Sequence, residues 1–160
     1  MRMPKGLRGV VAGAAGTLAM DALLYARYRA GGGAQGPVAW ETAEGASNWD
    51  DAAAPAQAAR KLAGAVGLDL PADSVRTVTN AMHWGYGTSW GVLLGALGGK
   101  GLRAGAALGA GVWAFDYVTL PLMDLYKPIW EYDTDTLWKD LSAHLVYGAV
   151  TGAVAEALAD

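Results

Sequence analysis

The sequence predicts an all-α membrane protein: a four-helix transmembrane bundle built of two related helical hairpins, with a short amphipathic surface helix between spans one and two. Three observations predict it. Of 160 residues, 53% are hydrophobic and the mean hydropathy is +0.20, more apolar than an ordinary soluble domain of this length. The charges gather between four long apolar stretches instead of spreading along the chain. Each stretch also carries glycines four apart: Gly9 and Gly13; Gly87, Gly91 and Gly95; Gly105 and Gly109; Gly148 and Gly152. That spacing lays a smooth stripe on one helix face, where a second backbone approaches closely in a solvent that supplies no hydrophobic effect between helices.

The length gives one membrane domain, residues 1–160. A formal charge of -3, with basic residues scattered, offers no stripe that could displace counterions from a phosphate backbone, so nucleic acid is not an expected partner. Cysteine is absent, which removes disulfides, thiolate metal sites, covalently attached haem and cysteine nucleophiles.

The first span covers about 7–28, long enough at 1.5 Å per residue to cross roughly 30 Å of hydrocarbon. Its basic flank, Arg2, Lys5 and Arg8, also suits a signal peptide, but Asp21 interrupts the apolar run and the rest of the chain reads as membrane too, so an uncleaved helix is expected. Residues 30–74 form an extramembrane segment opening on Gly31, Gly32 and Gly33 and rich in carboxylates. Within it, Pro55 to Val66 predicts a short surface helix; Pro71 ends it, and Asp73 or Ser74 caps the next. The second span covers about 75–97, the third about 103–123 after a tight turn, and the fourth about 136–158.

Arg2, Lys5, Arg8, Lys100 and Arg103 lie on one face with no acidic residue, which favours cytoplasmic termini; the opposite face carries most carboxylates but basic residues as well, so the reverse orientation stays open. Tyr25, Tyr28, Tyr126, Trp130, Tyr132 and Trp138 cluster near that opposite boundary as an aromatic belt.

Spans one and three share a Gly-x-x-Ala-apolar-Asp pattern, Gly16 to Asp21 and Gly111 to Asp116. Spans two and four share His-x-x-Tyr-Gly, His83 to Gly87 and His144 to Gly148. This predicts two hairpins derived from one, related by an axis along the membrane normal. Counting along the helices places Asp21, His83, Asp116 and His144 at one level, roughly 10 to 12 Å below the non-cytoplasmic end. An aspartate in hydrocarbon costs roughly 2.5 to 3.5 kcal/mol, so the four are expected to face the interior as one polar centre.

Three readings of that centre stand side by side. It holds the hairpins together, with Tyr25, Asn80, Tyr86 and Tyr147 completing the network. Alternatively it exchanges protons or binds a cation, with His83, His144, Asp21 and Asp116 as candidate ligands of a divalent metal and Asp140, one turn before His144, orienting the imidazole. As a minor alternative, His83 and His144 ligate a haem b between spans two and four. No Ser-His-acid triad, phosphate-cradling loop or paired zinc motif is present, so no enzyme is expected, and no cofactor is required by the sequence. Glu131, Asp133 and Asp135 read as loop charges beside a helix start. The expectation carried forward is proton or cation handling in the bilayer. The alternative is a structural subunit whose glycine stripes mediate a homo-oligomer or docking to a larger membrane complex.

The stretch Leu120-Pro121-Leu122-Met123-Asp124-Leu125, then Pro128-Ile129-Trp130-Glu131, then Ala143-His144-Leu145-Val146-Tyr147, together with His83, resembles the YagU-like family of uncharacterised bacterial inner-membrane proteins over about residues 80–150. The resemblance implies a multi-pass inner-membrane protein and supplies no catalytic residues. The family pattern can place a histidine where this chain has Asp116, which puts a fixed metal-ligand set in doubt there and leaves a titratable layer.

Overall fold

The computed structural model describes residues 3–159; Arg2, part of the basic flank, lies outside them. The described residues form six helices and no strand: α1 Lys5–Ala30, α2 Pro37–Glu41, α3 Ala54–Ala65, α4 Val75–Ala96, α5 Gly101–Leu122 and α6 Thr134–Ala157, with 3-10 turns at Ala72–Ser74 and Ile129–Glu131. The four long helices coincide with the four apolar stretches, and α3 with the expected surface helix. The one-turn helix α2 was not expected.

Two helix starts show how local chemistry sets the boundaries. Asp133 caps α6: its carboxylate accepts the Thr136 amide N–H at 2.8 Å and the Thr136 hydroxyl at 2.7 Å. At α4 neither expected cap forms. The Ser74 hydroxyl donates back to Pro71 O at 2.7 Å, because the 3-10 turn before α4 already gives Ser74 helical backbone angles.

Helix α1 packs against both α4 and α6, and α5 packs against α6. Every one of these interfaces is a glycine contact. A Cβ on Gly9 would sit 2.6 Å from Val92 Cα, and one on Gly13 2.9 Å from Gly87 O, so α1 and α4 touch backbone to backbone. Gly105 and Gly109 meet Gly148, Gly152 and the His144 carbonyl across α5 and α6, and Gly16 meets Tyr147 O across α1 and α6. The stripes assigned to oligomerisation are therefore largely buried against the chain's own helices.

Helices α4 and α5 behave differently, although only the turn through Gly98 (φ +74°) joins them. Aromatic side chains hold them apart: Trp90 stands edge-on to Phe115 at 5.5 Å. Segment 31–74 folds over one end of the bundle, where Trp49, Ala52 and Ala56 cover Val75 at the start of α4 and Arg60 lies over the Trp49 ring at 5.3 Å.

Among the described residues, only α1 is apolar enough, by length and composition, to qualify alone as a membrane crossing. The 22 residues of α4, the 22 of α5 and the 24 of α6 give sufficient length, but glycine, threonine, tyrosine and tryptophan dilute their leucines and valines. The aromatic belt is likewise reduced. Trp130 and Trp138 are exposed, whereas Tyr126 and Tyr132 pack against Tyr117 at 5.6 and 5.4 Å.

Candidate functional site

The four polar residues expected in one centre separate into two Asp–His pairs, one between α1 and α4 and one between α5 and α6. Among the described residues no hydrogen bond or ion pair joins Asp21 and His83 to Asp116 and His144. The backbone explains the division. Glycine contacts bring α1 directly onto α4 and α5 directly onto α6, so each aspartate meets the histidine of its own neighbour first.

In the second pair, His144 Nε2 lies 3.5 Å from Asp116 Oδ2, and its Nδ1 lies 2.9 Å from the Asp140 carbonyl and 3.4 Å from Asp140 Oδ1. A carbonyl only accepts, so Nδ1 carries a proton and donates it there. Asp116 also accepts the Tyr86 hydroxyl at 2.5 Å. Tyr147, one turn after His144, donates to Gly87 O at 2.6 Å and ties α6 to α4 instead of joining the acidic group. Both imidazole nitrogens of His144 face acceptors of the chain, Nδ1 the Asp140 carbonyl and Nε2 the Asp116 carboxylate, while His83, the other histidine expected at a haem, pairs with Asp21.

The first pair is built differently. His83 Nε2 lies 2.9 Å from Asp21 Oδ2, and the Asp21 side chain is 5% exposed against 37% for His83. A third group reaches it from the carboxylates of the 30–74 segment, to which the sequence assigned no role. Glu41, the last residue of α2, brings its carboxylate to the pair, so that one ligand atom from each of Asp21, Glu41 and His83 lies within 4.8 Å of the others. The Glu41 Oε1 atom is buried and has no hydrogen-bond donor. Burial, and then the charge of Asp21, hold the Glu41 carboxyl above the usual carboxylate range.

Two residues expected to complete the polar network instead position α2. Tyr25 packs on Trp40 at 5.4 Å and donates its hydroxyl to Gln35 O at 3.1 Å, which fixes α2 from the α1 side. From α4, Asn80 Nδ2 donates to Thr42 O at 2.9 Å, and Arg76 donates to the same carbonyl at 2.9 Å and to Thr42 Oγ1 at 2.8 Å. Thr42 follows Glu41 directly, so these bonds hold the carboxylate over Asp21. The next residue, Ala43, is forced to φ +50°, a conformation costing a residue with a Cβ about 1–2 kcal/mol.

An open cleft of about 400 Å³ between α1 and α2 borders the two carboxylates of this group, lined by Leu18, Asp21, Tyr25, Val38, Trp40 and Glu41. The signal for α2 was present in the Gly36-Pro37 pair, since proline is favoured at the first position of a helix. Comparison with known families, curated proteins and solved structures finds no match.

Proposed function

We propose that the chain is a small polytopic membrane protein whose four long helices cross the bilayer and which handles protons or cations at the Asp21–Glu41–His83 group. One observation carries the membrane reading: beside a small buried core that includes Leu94, Val112 and Leu120, the long helices turn many large apolar side chains outward and several polar ones inward. Leu7, Val10, Val11 and Leu18 of α1, Leu93 of α4, and Leu102, Phe115, Val118 and Leu122 of α5 face outward, whereas Asp21, Thr17, His144 and Thr151 are buried among glycines. Lipid solvates the first set and excludes the second. The YagU-like resemblance points to the same place, the inner membrane of a bacterium. Pairing of each aspartate with the histidine of its own hairpin, in both hairpins, supports the internal duplication.

The two pairs divide the alternatives between them. Asp116 and His144, satisfied by Tyr86 and Asp140, have the character of scaffolding. Asp21, Glu41 and His83 do not: two carboxylates meet with a single imidazole, one oxygen lacks a donor, and the group opens on a cleft. Two carboxylates in contact are stable only with a proton or a cation between them. In proteoliposomes, an imposed proton or divalent-cation gradient should dissipate with the wild-type chain and persist with His83→Ala. Equal dissipation by His83→Ala, or none by a folded wild-type protein, contradicts the transport reading.

A further inference from the structure

We infer that Asp21, Glu41 and His83 form a binding site for one divalent first-row transition-metal ion of the manganese, iron or zinc class, with helix α2 as the clip that completes it. The inference rests on the cation-handling reading and names the ion class and the third ligand. The donor set is one imidazole nitrogen and two carboxylate oxygens, borderline and hard ligands that suit such ions and suit copper(I) poorly. With His83 neutral, the two carboxylates balance a divalent charge. No lysine or arginine competes for it among the described residues: Glu41 has no ion-pair partner, and the Arg76 guanidinium is engaged by Thr42.

Geometry supports the same assignment. Ligand atoms within 4.8 Å of one another surround a point that each can reach by small side-chain rotations, given metal–ligand bonds of about 2.0–2.2 Å. The group differs from a surface patch of carboxylates in three respects. Asp21 is 4% exposed, a histidine is among the ligands, and Glu41 Oε1 is a buried acceptor whose missing partner an ion supplies. Three protein ligands leave further coordination positions, and the cleft beside Asp21 and Glu41 gives water or an exchanging ligand access to them.

The test uses the full chain purified in detergent, stripped with chelator and titrated calorimetrically with Zn²⁺ and Mn²⁺, with Co²⁺ absorption as an independent report on ligation. The expected result is one ion per chain, an affinity lowered about tenfold or more by Glu41→Gln and by His83→Gln, and an affinity unchanged by His144→Gln. The Co²⁺ spectrum of the wild type, which needs no variant, should show the visible bands of a protein-bound ion and lose them in Glu41→Gln. Absence of saturable binding by all three ions, or binding indifferent to both substitutions, overturns the site. Stoichiometric binding without flux retains the site and removes transport; proton flux by a chain that binds none of the three ions does the reverse.

Discussion

His83 Nε2 approaches Asp21 Oδ2 to 2.9 Å across the α4–α1 interface, pairing a side chain that is 37% exposed with one that is 5% exposed. The asymmetry gives the pair an inner and an outer member. Removing the outer member as His83→Ala strands a buried carboxylate and should destabilise the chain by about 2 kcal/mol, less than a fully enclosed pair would lose. The double variant Asp21→Asn, His83→Ala should recover part of that loss. Denaturant unfolding in mixed micelles, run as a double-mutant cycle, measures both.

The glycine contacts predict a sharp contrast between positions of the same residue type. Gly105→Ala and Gly148→Ala each drive a methyl group into the facing backbone and should cost about 1–3 kcal/mol. Gly85→Ala and Gly111→Ala meet nothing within 4 Å and should be neutral or stabilise their helices by up to about 1 kcal/mol. Unfolding midpoints of the four variants in one detergent check this.

Asn80 hydrogen-bonds to Thr42 O and Arg76 O and to no candidate ligand, so it positions Glu41 through Thr42. Asn80→Ala should accelerate amide exchange across Pro37–Glu41 and weaken metal affinity about tenfold while leaving the ligand set intact. Exchange mass spectrometry beside calorimetry distinguishes this positioning effect from loss of a ligand.

The Asp133 cap predicts a pH dependence at the other helix end. Hydrogen bonds from the Thr136 amide and hydroxyl hold the Asp133 carboxyl below its ordinary value of 3.8. The cap's contribution is therefore complete above that value and is lost as pH falls through the lowered one. Amide exchange at the start of α6 should rise at acid pH in the wild type, and be high and insensitive to pH over the same range in Asp133→Ala.

Much of this fold was legible because long helices announce themselves by where charge is absent: the ends of α1, α4, α5 and α6 fall close to the edges of the apolar stretches. The shared depth of Asp21 with His83, and of Asp116 with His144, followed from counting residues at helical rise. Their division into two pairs did not follow. It depends on how each helix is rotated about its axis, which Gly9 against Val92 and Gly109 against His144 O decide in three dimensions. Glu41 was illegible for another reason. A single turn of five residues has no hydrophobic period, and the bonds that place it come from Arg76 and Asn80, more than thirty residues away, at separations of 34 and 38. Tyr25 and Asn80, expected to complete the network around the aspartates, bond Gln35 O and Thr42 O instead.

A bundle that spans the bilayer has lipid, not water, on its leucine-bearing faces. Because the chain has no cysteine, single cysteines placed in it are uniquely addressable by a membrane-impermeant maleimide applied to intact spheroplasts. Ser47→Cys and Lys127→Cys should react from one side, Lys100→Cys only from the other after permeabilisation, and Val11→Cys and Val118→Cys from neither. Labelling of Ser47→Cys and Lys100→Cys from the same side, or rapid labelling of Val11→Cys, would place water on those faces and overturn the membrane reading.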